Sequence, residues 1–272
     1  MRMINLGCGA HSIDGWMNVD SRKTGDNVIV HDLHQGVPFE DNSIDVVYHS
    51  HVLEHFARSD ATFFLRECYR VLKPGGVIRI VVPDLEELCR EYLKNLSAVR
   101  ESGTAANVLN YEWSVVELID QMVRREKGGE MGRIWRKPFV ENDAYIEARM
   151  GEEYRRARAA LVGQKGEGPK GLWARLRQTL GRRAIGDAMR KVLLGDEFEP
   201  FTLGRFIAGG ETHQWAYDRH SLWALLDETA FVDIQFTDHL NSRMPNWSAY
   251  RALDAIGGKP RKPNSLFVEA LR

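Results

Sequence analysis

The sequence predicts an α/β protein with a doubly wound, mostly parallel sheet and a helical insertion. In the first ninety residues, short apolar runs alternate with turn signals and one clear helical stretch. Strand signals then disappear until about residue 210, after which one helix and two strands follow. We therefore expect a sheet domain of residues 1–95 and 210–272, and a helical insertion of residues 96–209 that covers the substrate.

The length and composition are those of a globular protein. The 272 residues can bury one large core, and 43% are hydrophobic and 28% charged, near the averages for globular chains. No run approaches the roughly 18 apolar residues of a membrane-spanning helix, and Met1 leads directly into a strand-like segment without a secretory leader. The three cysteines match no disulfide or metal framework. We expect a cytoplasmic protein.

Five strands are predicted in the N-terminal part, and four of them end in small or polar residues. The predicted strands span residues 3–7, 16–20, 27–32, 44–50 and 76–84. The first four end at Gly7 to Gly9, at Asp20, at Asp32 and at His49 to His51. Because ligands bind at the carboxyl edge of an open parallel sheet, we expect these residues to converge on one site.

Helical spacing of apolar residues predicts several helices. Residues 59–72 place Phe63 or Phe64, Cys68 and Leu72 on one face, and the following KPGG sequence should end that helix. Residues 108–129 predict an amphipathic helix that ends at two glycines. Near the C-terminus, residues 217–240 predict a helix and a strand, and SLFVEALR predicts the last strand.

Two glycines and two aspartates at the strand ends are candidate ligand-binding residues. Gly7 and Gly9 would let a ligand approach the backbone N–H groups, although a tight structural turn explains them equally well. Asp20 can accept both hydroxyls of a ribose, and Asp32 can accept an adenine amino group; the alternatives are capping or turn residues. Since only ten residues separate Gly9 from Asp20, we predict an abbreviated crossover between the first two strands.

Several segments resemble the class I S-adenosylmethionine-dependent methyltransferases, in particular their type-11-like branch. The segments are INLGCG, GWMNVD, HDL, VPFEDNSIDVVYHSHVLEHF, RECYRVLKPGGVIRIVVPD and SLFVEA. The resemblance covers residues 1–92 and 212–272 and leaves the inserted region uncovered. It implies a Rossmann-like fold, methyltransferase activity and S-adenosylmethionine as the cofactor.

The same resemblance implies which residues contact the cofactor. Gly7 and Gly9, with Cys8 between them, would face the methionine portion, and Asp20 would face the ribose hydroxyls. The remaining implied contacts are Asp32 with Leu33 at the adenine, and Ser50 with His51 at the sulfonium.

The segment HSHVLEHF contains the H-x-x-E-H pattern of a class of zinc proteases, formed by His51, Glu54 and His55. A zinc hydrolase is disfavoured because the pattern follows directly on a strand and does not lie inside a long amphipathic helix. The segment also resembles that of the ubiquinone-pathway O-methyltransferases, which hold a divalent ion there. Metal binding at Glu54 and His55 is therefore an alternative, as is a purely structural pair, and we predict no metal site.

Histidine is the side chain best suited to act as a general base near neutral pH. The candidates are His51, His55 and His213, the last of which stands near Trp215 and Tyr217. These two aromatic residues could line an acceptor pocket, but packing is the favoured interpretation.

The resemblance of GWMNVD and VVPD to methyltransferases of surface-polysaccharide pathways suggests O-methylation of a saccharide, a glycolipid or another small molecule. A non-catalytic cofactor-binding or interaction protein that works through its helical insertion is the competing interpretation.

Residues 155–191 are strongly basic, with eleven Lys or Arg and two acidic residues. Within residues 169–195, one side is apolar and the other carries arginines, so the segment could contact an anionic membrane or phosphorylated glycans. Packing on its own domain is the favoured interpretation. We expect no nucleic acid partner, because clustered aromatics are absent from the segment and the rest of the chain is net acidic. The apolar side comprises Trp173, Leu176, Leu180, Ile185, Met189 and Val192.

Overall fold

The computed structural model describes residues 1–164 and 182–272 of the chain. Strands account for the central sheet and one short hairpin. They are β1 (Met3–Leu6), β2 (Met17–Asp20), β3 (Val28–Val30), β4 (Ile44–Ser50), β5 (Leu72–Pro83), β6 (Val232–Thr237), β7 (Ala255–Ile256), β8 (Lys259–Pro260) and β9 (Ser265–Leu271).

Seven strands form one sheet in the order β3-β2-β1-β4-β5-β9-β6. Strands β1 to β5 pair in parallel, whereas β9 runs antiparallel between β5 and β6. The chain therefore reverses its winding direction between β1 and β4, and the loops that follow these two strands diverge and leave a crevice. The doubly wound, mostly parallel sheet and each of its predicted strands are confirmed; the β7–β8 hairpin was not predicted.

Ten helices are described. They are α1 (Arg58–Val71), α2 (Leu85–Glu101), α3 (Ala105–Val123), α4 (Gly129–Trp135), α5 (Asp143–Met150), α6 (Glu152–Gln164), α7 (Arg182–Leu194), α8 (Phe198–Ile207), α9 (Arg219–Glu228) and α10 (Trp247–Tyr250).

Helix α1 confirms the predicted helix of residues 59–72 and covers one face of the sheet. Its buried residues include Phe64, Leu65 and Cys68, which recur at helical intervals, whereas Phe63 is exposed. The helix ends before the KPGG sequence, which forms the irregular start of β5, where the pairing with β4 shifts register.

The predicted helix of residues 108–129 begins earlier and ends sooner than expected. Helix α3 starts after Thr104, whose side chain accepts the Asn107 N–H, and it ends at Val123. Gly128, with a φ of +79°, is instead the residue that precedes α4. The two glycines therefore open the next helix, because their conformational freedom lets the chain reverse there.

The helical insertion leaves the sheet and rejoins it at adjacent points. Asp84, directly after β5, forms a parallel bridge with Tyr217, and the Leu85 N–H donates to the Tyr217 carbonyl at 2.9 Å. Helices α2 to α8 lie between these points, and the described residues between β5 and β6 form no strand. The insertion thus leaves the sheet after Asp84 and returns at Tyr217, whereas the predicted limits were residues 96 and 209.

The sheet face opposite α1 carries a buried charge cluster. The Arg79 guanidinium is fully buried and lies 2.7 Å from a carboxylate oxygen of Asp254 and 2.7 Å from one of Glu269. The Tyr48 hydroxyl donates to Asp254 at 2.7 Å. These contacts anchor the connection between β6 and β9 against the sheet, and this connection forms one wall of the site described below.

Part of the basic amphipathic segment lies in α7. Met189, Val192 and Leu193 are 62%, 85% and 80% exposed, so the favoured packing of this side on its own domain is not observed for these residues. The predictions at Trp173, Leu176 and Leu180 lie outside the described residues. Among the helices described, none combines the length and the apolar character needed to cross a membrane.

Candidate functional site

Two cavities meet at the carboxyl ends of β1 and β4. The smaller, of about 380 Å³, lies against the sheet face beside the β7–β8 hairpin. The larger, of about 830 Å³, lies between the sheet edge and the helical insertion. Gly9 and His51 line both cavities, so the residues that follow β1 and β4 form the ridge between them.

The turn after β1 contains two glycines with different roles. Gly7 and Gly9 have φ values of +64° and +53°, in the region that disfavours residues with a β-carbon. A β-carbon on Gly7 would lie 2.3 Å from Cγ2 of Val52, whereas one on Gly9 would meet no atom within 4 Å. Gly7 is therefore required by packing, and Gly9 leaves open space toward the cavities. Cys8 is buried and lines the smaller cavity.

Asp20, at the end of β2, is bound to this turn. Its Oδ2 accepts the Gly9 N–H at 2.8 Å, and its Oδ1 accepts the Arg22 N–H at 3.0 Å. The crossover between β1 and β2 contains no helix, as the short spacing predicted. Asp20 and Gly9 both line the larger cavity, so the structure brings these two predicted residues together.

Four residues singled out in the sequence line neither of these cavities. Asp32 caps a short turn, where the His34 N–H donates to it at 3.0 Å, and this hydrogen bond lowers the pKa of Asp32. Leu33 packs in the core. Tyr217 is also a core residue, so the packing interpretation agrees with the structure for Tyr217. Trp215 is instead 36% exposed, with the Arg58 guanidinium 5.2 Å from its ring.

His51 follows β4 in a strained conformation. Its φ is +55°, which is uncommon for a residue with a β-carbon and recurs at functional sites. Its Nδ1 lies 3.1 Å from Oε1 of Glu54, and its Nε2 lies 3.1 Å from the Ser265 hydroxyl oxygen. Burial, reinforced by the charge of Lys262, lowers the pKa of His51, so its imidazole is neutral near pH 7. Ser50 beside it lines the smaller cavity.

His55 and His213 lie together in the wall of the larger cavity, with Glu54 behind them. The two imidazole centroids are 4.8 Å apart, and Nε2 of His213 lies 4.0 Å from Oε1 of Glu54. The Gln214 N–H donates to the Glu54 carbonyl at 2.7 Å, which holds the returning chain in place. Burial lowers the pKa of His213 to about 3. Thus the structure brings all three predicted histidines to one region.

The H-x-x-E-H pattern does not form a zinc-protease helix. His51 follows a strand, and Leu53–His55 form a single short turn, so the two histidines do not project from successive turns of one α-helix. The Nδ1 of His55 instead lies 3.2 Å from the Thr212 carbonyl. The arrangement required by the disfavoured zinc hydrolase interpretation is therefore not observed.

The sequence reasoning missed a group of basic residues around the smaller cavity. His11, Arg156, Arg261 and Lys262 line it, although Arg156 also pairs with Glu152 at 2.8 Å. Burial and the charges of the two arginines and the lysine lower the pKa of His11 to about 4. Because these residues come from three distant segments, no spacing in the sequence indicates that they meet. Three acidic residues, Glu152, Glu153 and Asp254, line the same cavity, and His11 is neutral near pH 7, so the lining as a whole carries no excess of positive charge. Arg261 and Lys262 can still contact an anionic group there.

Comparison with known proteins gives one family match. Residues 6–80 match the family model described as "Methyltransferase domain". A curated protein of Mycolicibacterium smegmatis, described as a "probable S-adenosylmethionine-dependent methyltransferase", is 44% identical over 48 residues, which are 18% of this chain and 18% of that protein. The chain thus matches less than a fifth of that relative's length.

Two solved structures are among those to which the chain shows a limited similarity. A SAM-dependent methyltransferase from Archaeoglobus fulgidus is 13% identical, with a TM-score of 0.41, over 100% of this chain and 86% of that one. A SAM-dependent methyltransferase from Aquifex aeolicus is 18% identical, with a TM-score of 0.26, over 31% of this chain and 57% of that one.

A mostly parallel seven-stranded sheet with one antiparallel strand, and a glycine turn at the crevice after β1, define a Rossmann-like fold, in which ligands bind at that crevice. Residues 6–80 thus match a methyltransferase domain family, and part of the chain is similar to a probable S-adenosylmethionine-dependent methyltransferase. S-adenosylmethionine is the methyl donor of such domains, as the resemblance implied. The matched region ends at residue 80, before the insertion.

Proposed function

We propose that the protein transfers a methyl group from S-adenosylmethionine to an oxygen atom of a small acceptor, with a saccharide or glycolipid as the favoured class. The observation that carries this proposal is the ridge formed by Gly9 and His51 between the two cavities. A cofactor lying across this ridge would present its sulfonium beside the larger cavity, where an acceptor has room to bind.

The charges around the ridge fit the parts of the cofactor. Arg261 and Lys262 in the smaller cavity can hold the methionine carboxylate, and Asp20 in the larger cavity can accept ribose hydroxyls. Gly9 and Ser50 leave space for the sulfonium between these ends. Asp32 and Leu33, the predicted adenine contacts, are not part of this proposal, because neither lines the two cavities.

We assign His51 as the general base. Methyl transfer is an in-line displacement that depends first on aligning the acceptor oxygen with the methyl group. His51 is neutral near pH 7 and lies on the ridge, with Nδ1 facing Glu54 at 3.1 Å. The acceptor hydroxyl would replace Ser265 Oγ, which lies 3.1 Å from Nε2, and give its proton to that nitrogen, while Glu54 stabilises the resulting imidazolium. A base positioned in this way accelerates transfer by about a hundred- to ten-thousand-fold.

Calorimetric titration with S-adenosylmethionine and its demethylated product, S-adenosylhomocysteine, tests cofactor binding. Replacing Asp20 by Asn should weaken both complexes about tenfold, because a hydrogen bond to a charged group contributes roughly 1.5–3 kcal/mol. Asp26→Asn is the matched control, since this carboxylate lies nearby and is fully exposed. Absence of binding by the unmodified protein, or equal effects of the two substitutions, would refute the assigned cofactor site.

Incubation with methyl-labelled cofactor and a cell extract tests the transfer itself. A labelled small molecule should appear, and His51→Gln should lower its rate of formation by a larger factor than it lowers cofactor affinity. If the cofactor binds but no molecule is labelled, the protein is the non-catalytic binding protein that the sequence left as an alternative.

We further propose that the apolar side of α7 contacts an anionic membrane surface. Met189, Val192 and Leu193 are exposed, and Arg190 and Lys191 stand between Met189 and Val192 in the sequence, Arg190 also pairing with Asp187 at 2.8 Å. Flotation with vesicles containing phosphatidylglycerol should recover the protein, and Val192→Ser with Leu193→Ser should abolish recovery. Leu93→Ser is the control, because Leu93 is an exposed leucine on α2. Equal recovery of all variants would contradict membrane contact through α7.

A further inference from the structure

Glu54, His55 and His213 form a compact group of metal-ligating side chains, and we propose that they bind a divalent transition-metal ion. One ligand atom from each residue lies within 4.8 Å of the other two. Two imidazoles and one carboxylate are a donor set that suits zinc, iron or cobalt better than magnesium, which prefers oxygen ligands.

The Glu54 carboxylate needs a partner that the described residues do not supply. Glu54 is 1% exposed, and neither of its carboxylate oxygens receives a hydrogen bond from any described group. The Nδ1 of His51 approaches to 3.1 Å but is not aligned for a hydrogen bond. A buried carboxylate without donors is strongly destabilised, and a bound cation would compensate its charge.

His55 is already oriented as a ligand. Its Nδ1 lies 3.2 Å from the Thr212 carbonyl, which can only accept, so this nitrogen carries the proton. The Nε2 lone pair is then available to a metal ion. A hydrogen bond from the second imidazole nitrogen to a carbonyl is the usual way in which proteins fix the tautomer of a metal-binding histidine.

Backbone hydrogen bonds hold the three ligands in place although they come from distant parts of the chain. The N–H groups of Gln214 and Trp215 donate to the Glu54 carbonyl at 2.7 and 3.2 Å. The His213 N–H donates to the carbonyl of Gln121 in α3 at 2.9 Å. The ligands are thus fixed relative to both the sheet and the insertion, which is the preorganisation that a metal site requires.

Three protein ligands leave at least one coordination position open. Because His55 and His213 line the larger cavity, that position would face the proposed acceptor. There the ion would bind the acceptor hydroxyl and favour loss of its proton to His51, after which the oxygen attacks the methyl group and the sulfur leaves with the bond electrons. This consequence rests on the proposed methyl transfer, whereas the metal site itself does not.

Cobalt binding tests the site directly. Protein treated with a chelator and dialysed should bind one Co²⁺ per chain. The bound Co²⁺ should produce visible absorption bands, and these should persist when Mg²⁺ is added. Glu54→Gln and His213→Gln should each weaken binding at least about tenfold, since even outer contacts to a metal site change its affinity by 10- to 100-fold. His220→Gln is the matched control, because His220 is exposed on α9. It should bind as the unmodified protein does.

Two readouts keep the proposals separable. Circular dichroism establishes that each variant is folded, and His55→Gln replaces any variant that is not. Failure of the unmodified protein to bind Co²⁺, or equal binding by folded ligand variants, overturns the metal site. Calorimetry with S-adenosylhomocysteine on the same samples tests the cofactor site independently. A protein that binds S-adenosylhomocysteine but not Co²⁺ would overturn the metal site and leave the proposed methyl transfer unaffected.

Discussion

Replacing Gly9 by alanine should weaken cofactor binding by more than backbone strain alone explains, and a matched substitution at Gly15 measures the strain. Gly9 and Gly15 both have positive φ values, +53° and +78°, and a β-carbon at either position would meet no protein atom within 4 Å. They stand in the same crossover, but Gly9 lines both cavities and Gly15 lines neither. Gly9→Ala and Gly15→Ala are therefore a matched pair.

The two substitutions should have similar effects on stability. A left-handed conformation costs about 1–2 kcal/mol in a residue with a β-carbon, partly offset because alanine restricts the unfolded chain. We expect each variant to lose about 1 kcal/mol in the free energy of unfolding. Gly7→Ala should lose more, since its β-carbon would overlap Cγ2 of Val52 at 2.3 Å and overpacking adds about 1–3 kcal/mol.

Cofactor affinity should differ between the matched variants. At Gly9 the added methyl group would occupy space assigned to the cofactor, so we expect affinity to fall at least about tenfold, or 1.4 kcal/mol. Affinity should be unchanged in Gly15→Ala. Urea denaturation measures the free energy of unfolding, and calorimetry with S-adenosylhomocysteine measures cofactor-site affinity. Equal affinities for the two variants would refute the placement of the cofactor over Gly9.

Two further predictions concern buried polar groups. Arg79→Met should lower the free energy of unfolding by about 3–5 kcal/mol, because it leaves Asp254 and Glu269 buried without their counter-charge. Exposed Arg90→Met should change it by less than about 0.5 kcal/mol, and equal effects in urea denaturation would contradict the role of the cluster. Burial lowers the pKa of His49 to about 4, so the unfolded chain binds the proton more tightly and stability falls as pH drops below about 6.5. Between pH 7 and pH 5 this histidine should account for about 2 kcal/mol. His49→Phe should remove that part of the pH dependence, and an unchanged dependence would refute the assignment.

Local patterns in the sequence were sufficient to predict the sheet. Apolar runs that end in glycine or aspartate located the strands, and the spacing of Phe63 or Phe64, Cys68 and Leu72 located α1. The sequence did not locate the helix boundaries at glycines, because glycine occurs both at the ends and at the beginnings of helices. Gly128 therefore appeared to end one helix and in fact precedes the next.

From the sequence, only those residues of the candidate site that directly follow a parallel strand could be predicted. Gly9, Asp20 and His51 meet there because parallel strands end at one edge. Asp32 also ends a strand, but its carboxylate is bound to the His34 backbone, and sequence does not distinguish a capping aspartate from a ligand-binding one. The position of Arg261 in the smaller cavity depends on long-range packing, which leaves no local pattern.

The shortened crossover after β1 requires another means of holding the glycine turn, and two buried asparagines provide it. The Asn18 amide both accepts the Ile13 N–H and donates to the Ile13 carbonyl, each at 2.9 Å. Asn5 donates to the His11 carbonyl at 3.0 Å. These side chains satisfy backbone groups that a helix would pair internally, so the loop stays ordered. Since no helix of this crossover covers the sheet face, the face remains open to the smaller cavity, and its walls come from the insertion and from the connection before β9. The short first crossover and the walls supplied by other parts of the chain therefore together shape the smaller cavity, which is half of the proposed cofactor site.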